Sequence, residues 1–435
     1  MGARRRSQRV FYGWWVAVAG AFNMVVSSGP TFQASSVLFR AIEDEFGWSR
    51  AAITGVASFG RFGGALLGPM EGFLTDKFGS AKMVLLGFTM GGLGLIFFSR
   101  VESIPIYYLS FFILSLGFSI GGFTPSIAAV NAWMPHRRAT AMSLVLAGSS
   151  AGGLLVPAIV WGIQTHGWRD TVFVIGLITL ATGPIVASVL KRKLPDPASM
   201  NRLVRRSTRK RIHTGQSGGL SHDFTPGEAL RTRAFWAISL THTLTNFSVG
   251  TLSAHLFFQL TDSSGVGLNE ALAGTIVAIQ TVVAFSAQLA GGYIGDRVEK
   301  RFAVSVLALL QATALAVLAV ASSYWMAIAF ALIWGVGFGG RTPILHAMRG
   351  DYFGRKHFGT ILGMSAFPMA MGMTASPVVV GLIYGKQQTY QYVLLALAGA
   401  AVVASLTATL ATRPKPPVPG SGRRGKQAKQ ASAAK

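Results

Sequence analysis

The chain has 435 residues, of which 51% are hydrophobic and only 12% are charged, and it contains no cysteine. Soluble globular proteins carry about a quarter charged residues, so this composition indicates a protein surrounded mainly by lipid and excludes disulfides, thiolate nucleophiles and cysteine metal sites. The net charge of +24 would suit a nucleic-acid-binding protein, but the basic residues lie between and beside apolar runs, so no nucleic-acid partner is expected.

Twelve apolar segments are long enough to cross a membrane, which takes about 20 mainly apolar residues. The first follows an arginine-rich segment, residues 1–11, and is too long for the apolar core of a signal peptide. We predict spans at residues 12–38, 50–70, 82–99, 105–131, 139–161, 169–190, 234–260, 270–293, 302–321, 324–347, 357–384 and 390–411.

The distribution of lysine and arginine supports this count. Of 39 such residues, two lie inside predicted helices and 32 fall on the side that holds both termini. The connections on the other side hold only five, which are Arg40, Arg50, Arg100, Arg169 and Lys386. Because positive residues accumulate in cytoplasmic loops, we predict a multi-pass protein of the cell inner (plasma) membrane with both termini in the cytoplasm.

The longest polar stretch, residues 191–233, divides the spans into two halves, residues 12–190 and 234–411. It holds eleven Lys and Arg residues, and we predict a cytoplasmic linker. The linker either rests on anionic lipid headgroups or is a disordered tether. Thr225 and Glu228 near its end have the spacing of a helix capping box. The proline-rich tail, residues 412–435, is expected to be disordered.

Two motifs recur half a chain apart. The charged turn from Gly72 to Lys82 returns at 292–301, with Asp76 and Asp296 separated by 220 positions. Residues 117–125 return at 335–343, an offset of 218. Two motifs at nearly one offset predict two similar six-helix halves. Their glycines allow close helix contacts, and their prolines predict bends near the middle of the fourth and tenth spans.

The first charged turn resembles the signature of the major facilitator superfamily, Gly-x-Leu-Ala-Asp-Arg-x-Gly-Arg-Lys. The chain departs from it at Thr75, Ser80 and Ala81 and matches it at Gly72, Leu74, Asp76, Lys77 and Gly79. The runs 11–15, 45–50, 255–256 and 351–354 resemble the monocarboxylate-transporter-like branch. The resemblance implies an all-α integral membrane fold of twelve transmembrane helices in two pseudo-symmetric six-helix halves.

Two arginines lie near the middle of predicted spans, Arg61 in the second and Arg341 in the tenth. A guanidinium at that depth costs at least about 2.5–3.5 kcal/mol and must face a cavity or a partner. Its planar fork matches a carboxylate, so we predict that both bind an organic anion. The alternative is a structural pairing, but Glu71 is ten positions from Arg61, about 15 Å along the helix.

Other polar groups inside the spans are candidates for the same site. His242, Asn246 and His255 lie on the seventh span and His346 on the tenth, and a histidine could take a coupling proton. The alternative for each histidine is a hydrogen bond between helices. Asn23, His242, Asn246 and Gln280 are also predicted substrate contacts. The sequence has no metal-binding set, so neither a metal nor a cofactor is predicted.

The charged turns are predicted to be gates. A carboxylate at a helix end can cap a neighbouring helix and pair with a cation while the inner face is closed. A fixed loop salt bridge is the alternative. The gating residues are Gly72, Asp76, Lys77, Gly79, Asp296 and Arg297.

The sequence therefore predicts a secondary transporter of a small, monocarboxylate-like organic anion. It would work by alternating access with proton symport, as a monomer in the lipid bilayer. An exporter of amphipathic compounds and a non-transporting receptor are the alternatives. An enzyme is not expected, because no nucleophile or metal set is apparent, and no phosphate-binding loop for ATP is present.

Overall fold

A computed structural model of the protein describes residues 11–30, 34–190, 222–262, 265–387 and 389–416. Most of the predicted N-terminal segment, linker and tail lies outside these residues. The first half comprises α1 (Tyr12–Ser28), α2 (Ser35–Phe46), α3 (Arg50–Phe78), α4 (Ser80–Phe98), α5 (Ile104–Gly121), α6 (Phe123–Trp133), α7 (Arg138–Ala151) and α8 (Val156–Leu190). The second comprises α9 (Pro226–Leu230), α10 (Arg233–Thr261), α11 (Glu270–Gly295), α12 (Lys300–Ala319), α13 (Tyr324–Phe353), α14 (Phe358–Gln387) and α15 (Gln391–Leu410).

These helices form twelve crossing segments. The pair α5 and α6 makes one crossing, while α7 and the start of α8 make another that ends at Gly167, whose φ of +81° breaks α8. Judged by length and apolar composition, eight helical stretches in the described residues could cross a membrane, and one of them, Arg138–Leu190, is 53 residues long. The helices α1, α3 and α10 are not among the eight, since α1 has only 17 residues and the other two carry polar or charged side chains.

The two halves meet along two equivalent seams. Helix α3 packs against α14, and α7 packs against α11. We call the side of the molecule where α1 begins and α15 ends the terminal face, and the other side the opposite face. An apolar cluster around Trp133 and Met142 of the first half also includes Phe358 and Leu362 of the second, so the halves are packed together near the terminal face.

The fourth span breaks where the repeat predicts a bend, whereas the helix of the tenth span is continuous. Helix α5 ends at Gly121 and Gly122 leaves the helical conformation, whereas α13 continues through Pro343. Pro125 cannot donate to the carbonyl of Gly121, four residues earlier. The amide nitrogen of Asn23 donates to that carbonyl instead, at 2.9 Å. Asn23 therefore stabilises the break in the fourth span.

The first span is shorter than predicted. Helix α1 ends at Ser28, and α2 is a separate helix that begins at Ser35 and ends at Phe46, followed by Gly47 with φ of +62°. The carboxylate of Glu45 near the end of α2 accepts hydrogen bonds from Arg169 at 2.8 Å and from the indole of Trp168. These bonds hold α2 against the second part of α8.

We expect Glu45→Gln to lower the melting temperature at neutral pH. Partial burial would raise the pKa of Glu45, but the hydrogen bonds from Arg169 and Trp168 and the charge of Arg169 outweigh it and lower the pKa. The stabilisation is therefore complete above the ordinary glutamate pKa and is lost as the pH falls through the lowered value. Because the pair is partly exposed, the loss should be about 0.2–1 kcal/mol.

Thermal unfolding of purified Glu45→Gln and of the parent protein, in detergent at several pH values, measures this loss of stability. The matched control is Asp44→Asn, which removes an exposed carboxylate of the same helix that pairs with Arg40. Equal melting temperatures for Glu45→Gln and the parent protein at neutral pH would contradict it.

The end of the predicted linker is folded against the second half. The backbone N–H of Phe224 donates to the carbonyl of Phe353 at 3.0 Å, and the Phe224 ring is buried. The predicted capping box is confirmed: Thr225 accepts from the N–H of Glu228, and Glu228 accepts from the N–H of Thr225. Residues 222–233 thus belong structurally to the second half.

Candidate functional site

Arg341 lies near the middle of α13 and is completely buried. None of its three guanidinium nitrogens has a hydrogen-bond partner among the described residues. A buried cation without partners is costly, and each such group calls for an explanation. Arg341 is therefore a buried guanidinium whose donors have no acceptor in the described part of the chain.

A second buried arginine, Arg349, lies on the same helix. Its guanidinium donates to the Ser365 hydroxyl at 2.8 Å, to the Leu345 carbonyl at 3.1 Å and to Nδ1 of His242 at 3.0 Å. These bonds hold Arg349 between α10, α13 and α14. Arg349 is a second positive charge on α13, and unlike Arg341 it has hydrogen-bond partners on neighbouring helices.

Arg349 lies beyond the predicted tenth span, which ends at residue 347 and would place this arginine in a loop. The helix instead continues to Phe353 and ends at Gly354, whose φ is +88°. Glycine takes a positive φ more readily than other residues and commonly follows the end of a helix. That signal in the sequence could have extended the predicted helix past Arg349.

Two of the histidines predicted to take the coupling proton, His242 and His346, lie close to each other. The ring centroids of His242 and His346 are 5.4 Å apart, and His346 packs edge-on against Phe123 of the first half, at 5.2 Å. Arg341 lies on the same helix, five residues before His346 and eight before Arg349. We call Arg341, Arg349, His242 and His346 the cationic cluster.

The hydrogen bond from Arg349 fixes the protonation of His242. A guanidinium has only donors, so Nδ1 of His242 must be the accepting nitrogen, and the ring is neutral with its proton on Nε2. This arrangement makes Nε2–H available as a donor. It also disfavours a second proton on His242 while Arg349 stays in place.

The other residues predicted to bind the substrate are on several helices. Asn246 is buried on the same face of α10 as His242 and donates to the His242 carbonyl at 2.8 Å. Gln280 is partly buried on α11, and its side-chain oxygen has no partner in the described part of the chain. Asn23 uses its nitrogen at the break of the fourth span. Arg61 lies on α3, and its side chain is outside the described part.

His255 is separate from the cluster. It follows His242 by 13 residues on one helix, which is about 20 Å along the axis. Its ring bonds the carbonyl of Pro377 at 2.9 Å and the hydroxyl of Tyr390 at 3.2 Å. The histidine thus joins α10 to α14 and α15 towards the opposite face.

Asp76 caps the first turn of a helix in the other half. Its carboxylate accepts from the backbone N–H of Gly359 at 2.8 Å and of Thr360 at 2.7 Å, and from the Thr360 hydroxyl at 2.6 Å. A carboxylate satisfies unpaired N–H groups at a helix start and interacts favourably with the helix dipole. We call this contact the α14 cap.

Asp296 makes the same contact with α7. It accepts from the N–H groups of Ala139 and Thr140, both at 3.0 Å, and from the Thr140 hydroxyl at 2.6 Å. We call this contact the α7 cap. The two caps are related by the repeat, and each joins one half to the other at the terminal face.

A glycine one turn before each aspartate allows this approach. A Cβ on Gly72 would lie 2.1 Å from the carbonyl oxygen of Gly359, and one on Gly292 would lie 2.2 Å from the hydroxyl of Ser143. Gly79 ends α3 with φ of +87°, a conformation that favours glycine. Its backbone lets α4 begin at the next residue.

Charged residues near the caps also make contacts at the terminal face. Lys77 lies over the rings of Phe73 and Phe78, and Arg297 lies over the ring of Tyr293. An ion pair between Arg138 and Asp351, at 2.6 Å, crosses from one half to the other, and Asp351 also binds Lys300 of its own half at 2.8 Å. Together with the two caps, this pair joins the two halves at the terminal face.

Known proteins share this architecture. The sequence model of the protein family called the Major Facilitator Superfamily matches this chain twice, over residues 16–265 and over residues 257–435. The fucose:proton symporter of E. coli aligns with a TM-score of 0.69 at 14% identity, over 93% of this chain and 100% of that structure. The human organic anion transporter MFSD10 aligns with a TM-score of 0.68 at 15% identity, over 91% and 99%.

Curated relatives include monocarboxylate transporters. Monocarboxylate transporter 2 of Mesocricetus auratus is 23% identical over 90% of this chain and 82% of its own length, and the Homo sapiens protein is 22% identical over 91% and 84%. Human monocarboxylate transporter 11 is 27% identical, but over only 42% of this chain and 40% of its own length. The chain belongs to the Major Facilitator Superfamily of membrane transporters, and it is similar to the monocarboxylate transporters within it.

Proposed function

We propose that this protein transports a small organic anion, monocarboxylate-like in size, by alternating access coupled to proton symport. The terminal face would be cytoplasmic, as the lysine and arginine distribution predicts, and the membrane would be the plasma membrane. The names of the relatives, monocarboxylate transporter and organic anion transporter, favour the same class of substrate.

The observation that carries the proposal is the unpartnered guanidinium of Arg341. Its two parallel N–H groups match the two oxygens of a carboxylate, and a bound anion would offset the cost of burying the charge. Arg349 adds a second positive charge nearby. Lipophilic cations, the usual cargo of a multidrug exporter, would be repelled by the same pair.

The caps support alternating access. A transporter of two halves must close one face while the other is open, and the contacts that close a face must break in the next state. The α14 cap and α7 cap lie at equivalent positions of the two seams. Their loss would allow both seams to open together at the terminal face.

A ligand screen by thermal shift tests the proposed substrate class. We expect lactate, pyruvate or oxalate to raise the melting temperature of the purified protein, since a ligand at 100 times its Kd stabilises by about 2.7 kcal/mol. Stabilisation by lipophilic cations and by none of the anions would contradict the proposal and favour the exporter. Binding of an anion without net flux into proteoliposomes would favour the receptor.

A further inference from the structure

Glu71 is a buried carboxyl group that has no role in the candidate site described above. It lies on α3 with 4% of its surface exposed. The hydroxyl of Ser119 on α5 donates to it. Among the described residues no cation contacts this carboxyl group.

The charged and titratable groups of its own helix lie elsewhere. Arg61 precedes Glu71 by ten positions, about 15 Å along the helix, and Arg50 is farther still. Asp76 follows by five positions, about 140° around the helix, where it caps α14, and Lys77 is exposed at the end of α3.

The helices packed against α3 bring no cation to this level. Helices α5 and α6 carry no charged residue. The hydroxyls of Tyr107 and Tyr108 bond to carbonyls in the first turn of α3, at 2.9 Å. The other charged or titratable residues of the helices packed against α3 lie at helix ends or on α2. They are Lys82, His357, Tyr384, Lys386, Arg40, Glu43, Asp44 and Glu45.

A lone carboxylate in this position is strongly unfavourable. An ionised group buried away from water needs a countercharge or several hydrogen bonds, and the described contacts of Glu71 provide one hydroxyl. A protonated carboxyl group is neutral and fits the same place without a countercharge. Intramembrane carboxyl groups of this kind commonly mark proton pathways.

The histidines of the cationic cluster are poorer proton carriers in this state. Nδ1 of His242 accepts a hydrogen bond from Arg349, so a proton there would face a permanent cation. His346 lies beside His242 and within electrostatic range of Arg341 and Arg349. A positive charge on either ring would be repelled by two guanidinium groups.

Glu71 also lies beside the seam that alternating access would open. The next residue, Gly72, packs directly on the backbone of Gly359, and one turn earlier Gly68 packs on Gly363. Separation of α3 from α14 would admit water from the terminal face to this part of α3. Hydration stabilises the carboxylate, so the carboxyl group would then release its proton.

We propose that Glu71 is the binding site of the transported proton. In the state shown here, in which α3 packs on α14, the carboxyl group holds the proton and its other oxygen accepts the hydrogen bond from Ser119. When α3 and α14 separate, the O–H bond breaks, the proton passes to water and the hydrated carboxylate remains. This inference rests on the proton symport of the proposed function.

The variant Glu71→Gln tests it, because glutamine mimics the protonated acid and keeps a partner for Ser119. We expect it to lose accumulation of labelled lactate driven by a pH gradient while exchanging labelled for unlabelled lactate at the wild-type rate. The matched control Glu102→Gln, at an exposed position, should accumulate lactate normally. Accumulation by Glu71→Gln that still follows the pH gradient would overturn the proposal.

A second readout does not depend on transport. The infrared band of a protonated carboxyl group should be present in the wild-type protein at neutral pH and absent from Glu71→Gln. Identical spectra would overturn the assignment of the proton to Glu71. If the band is lost in Glu71→Gln but wild-type uptake ignores the pH gradient, proton symport is wrong and Glu71 remains a proton-binding residue.

Discussion

Replacing Arg341 by alanine should abolish stabilisation of the protein by its anion. Removing one partner of a buried, hydrogen-bonded charge pair costs about 2–5 kcal/mol, which corresponds to a Kd raised roughly 30-fold to several thousand-fold. Arg341→Lys keeps the charge but loses the planar fork, so its affinity should be intermediate. Calorimetric titration with lactate measures the Kd of each variant.

The stability of the ligand-free protein separates a binding role from a structural one. Because the guanidinium of Arg341 has no partner in the described residues, Arg341→Ala removes an uncompensated buried charge and should leave the melting temperature unchanged or higher. Arg40→Ala, at an exposed position, is the matched control and should bind normally. A ligand-free protein clearly destabilised by Arg341→Ala would show that this arginine has a structural partner.

The second large effect is expected at the caps. Hydrogen bonds to a charged group contribute about 1.5–3 kcal/mol, so removing one cap with Asp76→Ala or Asp296→Ala should shift the balance of states by at least roughly tenfold. The double variant should open the terminal face in most molecules.

Distances between spin labels measure this shift. The chain contains no cysteine, so labels can be attached to Lys77→Cys and Lys356→Cys, one exposed position in each half. The distance between them should lengthen in the double variant. Asp170→Asn removes an exposed carboxylate elsewhere and should leave the distance unchanged. An unchanged distance in the double variant would mean that the caps do not hold the terminal face closed.

Much of the fold could be predicted from the sequence, because lipid imposes simple rules on a chain. The length of the apolar runs, the basic loops and two motifs at nearly one offset were sufficient for twelve spans in two halves. The details that failed depend on local backbone. The early end of α1 cannot be read from hydropathy.

The candidate site was partly predictable. The burial of Arg341 followed from its place in a span, and the capping role of Asp76 and Asp296 followed from their repeated position at helix ends. Arg349 was missed through an error in the end of one helix. The roles of Asn23 and Glu71 depend on which neighbour each side chain faces, Gly121 in one case and Ser119 in the other. A single sequence does not contain that information.

Uptake of labelled lactate into liposomes that contain only the purified protein tests the central claim most directly. With the outside more acidic than the inside, the wild-type protein should concentrate lactate above its external level, and Arg341→Ala should not. Failure of the wild-type protein to take up lactate, pyruvate or oxalate, or equal uptake by Arg341→Ala, would contradict an anion transporter built around Arg341.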